Sequence, residues 1–184
     1  KDKLDARYRK LTSYRPYSPD ANSAGQRALR NICLDLLAAT EDKAELRRAL
    51  TQFEEADNMT DRMAALGVLS QHATPEREQA LDAFEQRYRN DPLVLDKWFA
   101  VQARIPEAAT LERVQKLMKH PAFSMTNPNR LRSLIGVFAA GNPSQFNRPD
   151  GKGYALLADT VLGLDSKNPQ VAARLLSSLK SWRM

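Results

Sequence analysis

Asn168-Pro169-Gln170-Val171-Ala172-Ala173-Arg174 reads as the opening of a helix, and Asn127-Pro128-Asn129-Arg130-Leu131-Arg132-Ser133-Leu134-Ile135-Gly136 repeats the device earlier in the chain. An asparagine side chain accepts a hydrogen bond from a free N–H of the first helical turn. The proline that follows lacks an N–H that would have had no partner there. Ser18-Pro19, Thr74-Pro75, Asp91-Pro92 and Asn142-Pro143 carry the same signature, so six of the ten prolines start helices rather than break them. Between these points apolar residues recur at three- and four-residue spacing, and no stretch alternates convincingly as a strand would. The fold class that follows is all-α.

The spacing predicts helices over residues 19–39, 43–55, 60–71, 75–89, 92–103, 110–119, 128–140 and 153–163, and from 169 to the end. The first is expected to bury Leu29, Ile32, Cys33, Leu36 and Leu37. The fifth, with Leu93, Val94, Leu95, Trp98, Phe99 and Val101, is apolar nearly all round, the mark of a helix covered on several sides. Short connections between helices of this length favour antiparallel pairs. Stacked pairs give an α-solenoid, a superhelix of the HEAT or armadillo kind, and the absence of a strict sequence period makes the pairs irregular. Residues 1–17 are expected to be a linker or the end of a preceding segment, and residues 18–184 the solenoid domain. The last helix shows Ala172, Leu175, Leu176 and Leu179 on one side and runs to Trp182-Arg183-Met184 with no stop signal. The domain is therefore expected to be incomplete at its C-terminal end, since a solenoid needs a polar cap there.

At 184 residues and 42% hydrophobic content the chain can build a sizeable core. No run approaches the roughly 20 apolar residues of a membrane helix, and the first residues show no secretory h-region. The net charge of +6 suggests nucleic acid at first sight. However, basic and acidic residues interleave through Glu41-Asp42-Lys43-Ala44-Glu45-Leu46-Arg47-Arg48 and similar stretches, as on solvated helix faces. The expected partners include no nucleic acid. Cys33, the single cysteine, lies between Ile32 and Leu34, so a buried structural thiol is expected; a disulfide framework is excluded and a reducing compartment is compatible, and the localisation expected is cytoplasmic.

Chemistry is hard to find. His72 and His120 form no metal-ligand pair and lie apart in sequence from Cys33. His72 reads as a helix end and His120 as a loop residue before Pro121. Gly151-Lys152-Gly153 is too short for a phosphate loop and lacks a preceding strand. Glu54-Glu55 lies on expected surface, without the burial that tunes an acid–base pair. No catalytic centre and no metal site are expected in this chain.

The two opening stretches, read with Asn58-Met59-Thr60-Asp61 and Leu95-Asp96-Lys97-Trp98-Phe99, resemble the C-terminal helical domain of the bacterial aminopeptidase N family, the M1 (gluzincin) zinc aminopeptidases. The resemblance runs from Ala28-Leu29-Arg30-Asn31 to the last residues, in the same order of motifs. It implies a parent enzyme that removes N-terminal residues from peptides. Zinc in such an enzyme sits on a His-Glu-x-x-His helix with a further glutamate, and a Gly-Ala-Met-Glu-Asn loop binds the free amino end. None of these motifs occurs in this chain, so the resemblance implies an inactive portion of a longer polypeptide. Its partners would be the upstream catalytic domains and short peptide substrates. The implied role is to close over the catalytic domain and enclose its cavity, with Arg132, Gln170 and Arg174 facing the cavity or the substrate path.

Two bland alternatives stand beside this. Gln170 and Arg174, four apart and in line with Ser177 and Ser181, could be the wet face of an amphipathic helix. Arg132 adjoins Leu131, Leu134, Ile135 and Phe138 and could instead tie neighbouring helices together. A freestanding α-solenoid that binds a protein partner is the alternative function.

Overall fold

The computed structural model describes residues 1–12 and 16–181, and among these every regular element is a helix. Trp182, Arg183 and Met184, expected to extend the last helix, lie outside the described residues. The chain divides into two units, Lys1–Phe84 and Glu85–Met184.

The first unit holds α1 (Asp2–Leu11), α2 (Ala21–Ala38), α3 (Lys43–Glu55), α4 (Met59–Ser70) and most of α5 (Pro75–Tyr88). Residues 1–17 thus contain a helix of their own. In that charge-rich run only Leu4, Tyr8 and Leu11 supply a stripe, and none is fully buried. α1 packs along α2, and side chains tie it to α3: Arg48 donates to Asp5 Oδ1 at 2.5 Å and Tyr8 Oη donates to Gln52 Oε1 at 2.9 Å. α2 starts two residues later than expected. Its cap is Asp20, which accepts from the Ser23 N–H at 3.0 Å and from the Ser18 hydroxyl at 2.6 Å.

The expected inner face of α2 needs correction. Cys33, Leu34, Leu37 and Ala38 are buried, but Leu29, Ile32 and Leu36 are 37%, 56% and 50% exposed. α2 is apolar on two sides, and α1, α3 and α4 pack with it. Only the side bearing Leu34, Leu37 and Ala38 is closed. A buried polar knot joins the helices: Asp61 takes Arg30 at 2.7 Å, Asn31 Nδ2 at 2.9 Å and Asn58 Nδ2 at 2.8 Å. Gln52 Nε2 donates to Asn31 Oδ1 at 2.8 Å and to the Asp61 carbonyl at 3.2 Å. Buried charges need such partners, because losing one would leave an unpaired ion in low dielectric.

The second unit is built on α6 (Pro92–Ala103), which packs with α7 (Thr110–Leu117) and with the stretch that begins at α8 (Pro128–Leu131). That stretch was expected as one plain helix. It passes through a π-helical segment, Arg132–Gly136, before α9 (Val137–Gly141). α10 (Pro143–Phe146), α11 (Lys152–Asp165) and α12 (Pro169–Leu176) follow, and a 3-10 segment, Ser177–Ser181, replaces the expected continuation of the last helix. Its tighter turn breaks the four-residue spacing after Ser177.

The asparagine and aspartate caps before proline work as read. Asp91 accepts from the N–H groups of Leu93 and Val94, Asn127 from Asn129 and Arg130, Asn142 from Gln145, and Asn168 from Val171. Trp98 and Phe99 are buried as expected, and Phe99 meets His120 edge-on with ring centroids 5.7 Å apart. Leu176, expected inside, is 44% exposed, while Ala172 and Leu175 carry the inner face of α12.

Candidate functional site

Arg132 is exposed at the first position of the π segment, where the backbone turn widens. Segments of this kind are frequent at functional sites. Its Nε donates to the Pro128 carbonyl at 3.1 Å and its Nη2 donates to Asn129 Oδ1, so among the described residues it is held only within its own turn. The arginine that ties helices together is its neighbour Arg130, which is buried. Arg130 donates to the Pro92 carbonyl at 3.2 Å, lies 3.4 Å from Asp96 Oδ1, and sits over the Phe99 ring at 4.9 Å. Asp96 also accepts from the Ser133 hydroxyl at 3.2 Å. Sequence reasoning assigned the structural alternative to the wrong arginine. The two flank the Leu131, Leu134, Ile135 and Phe138 stripe almost symmetrically, and only Asp96, across on α6, separates them.

Gln170 and Arg174 lie on the first two turns of α12, both exposed, about 40° apart around the axis. Among the described residues neither side chain has a hydrogen bond or ion pair. Arginine presents a rigid fork of donors suited to carboxylates and carbonyls, and glutamine both donates and accepts without adding charge. The Ser177 hydroxyl donates back to the Arg174 carbonyl at 2.5 Å and closes the helix end. A Cβ placed on Gly136 would lie 3.7 Å from Arg132 Cβ and 3.8 Å from Leu175 Cδ2. The base of Arg132 and the inner face of α12 therefore meet at one glycine.

Each unit, taken by itself, carries a hollow. A cleft of about 310 Å³ lies between Ala139, Ala140, Pro143 and Phe146 on one side and Ser177, Ser178 and Lys180 on the other, next to Arg174 in the chain. A larger cleft of about 770 Å³ lies in the first unit, lined by Tyr8, Arg27, Arg30, Gln52, Asn58 and Asp61. Sequence reading missed it because its polar residues come from four helices. Their acidic and basic groups largely neutralise one another, which favours structure over recognition. Among the described residues no group of three or more His, Cys, Asp or Glu side chains could hold a metal ion. No helix is long and apolar enough to cross a membrane, among the described residues.

Known proteins agree with this picture. A family model described as a domain of unknown function, DUF3458_C, with ARM repeats matches residues 1–184. Aminopeptidase N of Caulobacter vibrioides is 49% identical over 167 residues, which are 91% of this chain and 19% of that protein. Aminopeptidase N of Escherichia coli is 42% identical over 163 residues, 89% of this chain and 19% of the relative. The crystal structure of Legionella pneumophila aminopeptidase A in complex with aspartic acid superposes with a TM-score of 0.86 at 32% identity, covering 98% of this chain and 23% of that one. The chain thus spans about a fifth of the length of the curated relatives it matches. The helical class, the armadillo-like pairing and the resemblance read from the motifs all hold: this chain belongs to the DUF3458_C family of armadillo-repeat domains, in the form carried within bacterial aminopeptidases N.

Proposed function

We propose that this chain is the helical portion of a longer cytoplasmic zinc aminopeptidase, that it covers the route to the active site, and that Arg132, Gln170 and Arg174 help seat short peptides there. Zinc and the catalytic groups would belong to other parts of that polypeptide. The observation that carries the reading is the pair Gln170 and Arg174, exposed on α12 with no partner among the described residues, on a helix whose other face is firmly buried through Ala172 and Leu175. Rigid support with free donors is what a positioning surface requires. Enclosure would add selectivity by keeping folded proteins and bulk water from the reacting peptide.

The test uses the complete polypeptide. A lost hydrogen bond to a charged group costs about 1.5–3 kcal/mol, so Arg174→Ala is expected to raise KM for short peptides about tenfold or more. The melting temperature should stay unchanged, because the side chain is exposed. Unaltered kinetics on several peptides would remove the assignment. The longer polypeptide itself is checked by immunoblot of source cells. A band near 20.7 kDa instead of one several times larger would turn the reading toward a freestanding helical scaffold.

A further inference from the structure

We propose that the outward face of α2 is a helix-docking seam, occupied by another helix of the same polypeptide that lies outside residues 1–184. Gly25, Leu29, Ile32, Leu36 and Ala39 are spaced four, three, four and three apart, and all five are exposed. At roughly 100° per residue they and Ala28 fall in one band about 100° wide, on the side opposite Leu34, Leu37 and Ala38. The spacing is that of a seam between helices rather than of a strand or loop contact. Three of the seven large apolar side chains exposed among the described residues sit in this band, while Leu93, Leu162, Leu176 and Tyr17 are spread over other elements.

Gly25 adds an independent observation. A Cβ built on it meets nothing within 4 Å. A glycine inside a helix costs about 1 kcal/mol relative to alanine. Nothing among the described residues requires the small residue, but close approach of a second backbone would. The band carries no charge that would argue for an ionic partner.

The occupant follows from length. The aminopeptidase N relatives are about five times as long as the stretch they share with this chain, so ample polypeptide is available to supply a helix. In an armadillo array each helical pair is covered by its neighbours, and a bare apolar face marks the seat of another repeat. The proposal rests on the chain being part of a longer aminopeptidase.

The experiment is maleimide labelling of the complete polypeptide bearing Ile32→Cys, with Gln26→Cys as the reference, read peptide by peptide by mass spectrometry. Gln26 is exposed about 120° around the helix, outside the band. Labelling at position 32 is expected to be at least about tenfold slower than at position 26 in monomeric protein, as at a site reached only by local opening. Equal rates would overturn the proposal. Protection that depends on protein concentration would also overturn it, in favour of a second copy, and so would protection already complete in the 184-residue chain. A second variant guards against misfolding: Ile32→Glu should lower the melting temperature of the complete polypeptide by several degrees while Gln26→Glu does not. If neither shifts it, the seam is not covered. The immunoblot mass decides separately whether the longer polypeptide exists.

Discussion

A methyl group on Gly153 would collide with the backbone carbonyl of Phe146, where no side-chain rotation can relieve it. This close approach seats α11 against α10 and lets Phe146 and Tyr154 meet edge-on, with centroids 5.0 Å apart. Gly153→Ala is therefore expected to cost about 3 kcal/mol, at the upper end of overpacking, and a urea midpoint that stays put would refute it. Gly151, two residues earlier, takes the left-handed conformation with φ 71° and turns the chain into the helix. The Gly151-Lys152-Gly153 string thus has a structural account in each glycine. Arg130 and Arg132 show the same limit at single-residue scale. The local pattern cannot say which of two arginines beside one stripe is buried, because the deciding group, Asp96, lies on another helix.

At the scale of elements, capping chemistry is local and was readable. Four asparagine or aspartate caps followed by proline were found where the sequence placed them. Asn142 does more than its cap. Its Nδ2 donates to the carbonyls of Ala103 at 3.0 Å and Ile105 at 2.8 Å, closing the end of α6 while its Oδ1 starts α10. Asn142→Ala removes the cap and strands two acceptors in the interior, a loss of about 2–4 kcal/mol by chemical denaturation. A change below about 1 kcal/mol would mean that water replaces the side chain. The start of α10 was read from Asn142-Pro143 but its extent was not, since four residues show no period. α1 escaped because its few apolar residues sit among charges, and it is held from elsewhere in the chain, by packing along α2 and by Arg48 and Gln52 on α3.

For the whole molecule, acid is the sensitive direction. The Arg48 guanidinium holds the Asp5 carboxyl below its ordinary range, hydrogen bonds from Ser18 and Ser23 do the same for Asp20, and Lys1 with the Ala44 N–H does so for Asp42. Each binds a proton more readily unfolded than folded. Their contribution is present above the ordinary carboxylate pKa near about 4 and is lost as the pH falls through and below it. The urea midpoint should therefore decline from pH 7 toward pH 3. Asp20→Asn keeps a capping oxygen without the titration, so its midpoint should decline less; an identical decline would remove Asp20 from the account. By itself the sequence determined the helical class, most helix starts, the burial of Cys33, Trp98 and Phe99, and the family, because periodicity, caps and motif strings are properties of neighbouring residues. Only the tertiary structure decided which apolar face of α2 turns inward, which arginine ties α8 to α6, and that Gln170 and Arg174 stand without partners among the described residues. Each of these depends on what packs against a residue from far along the chain, and that is absent from any local pattern.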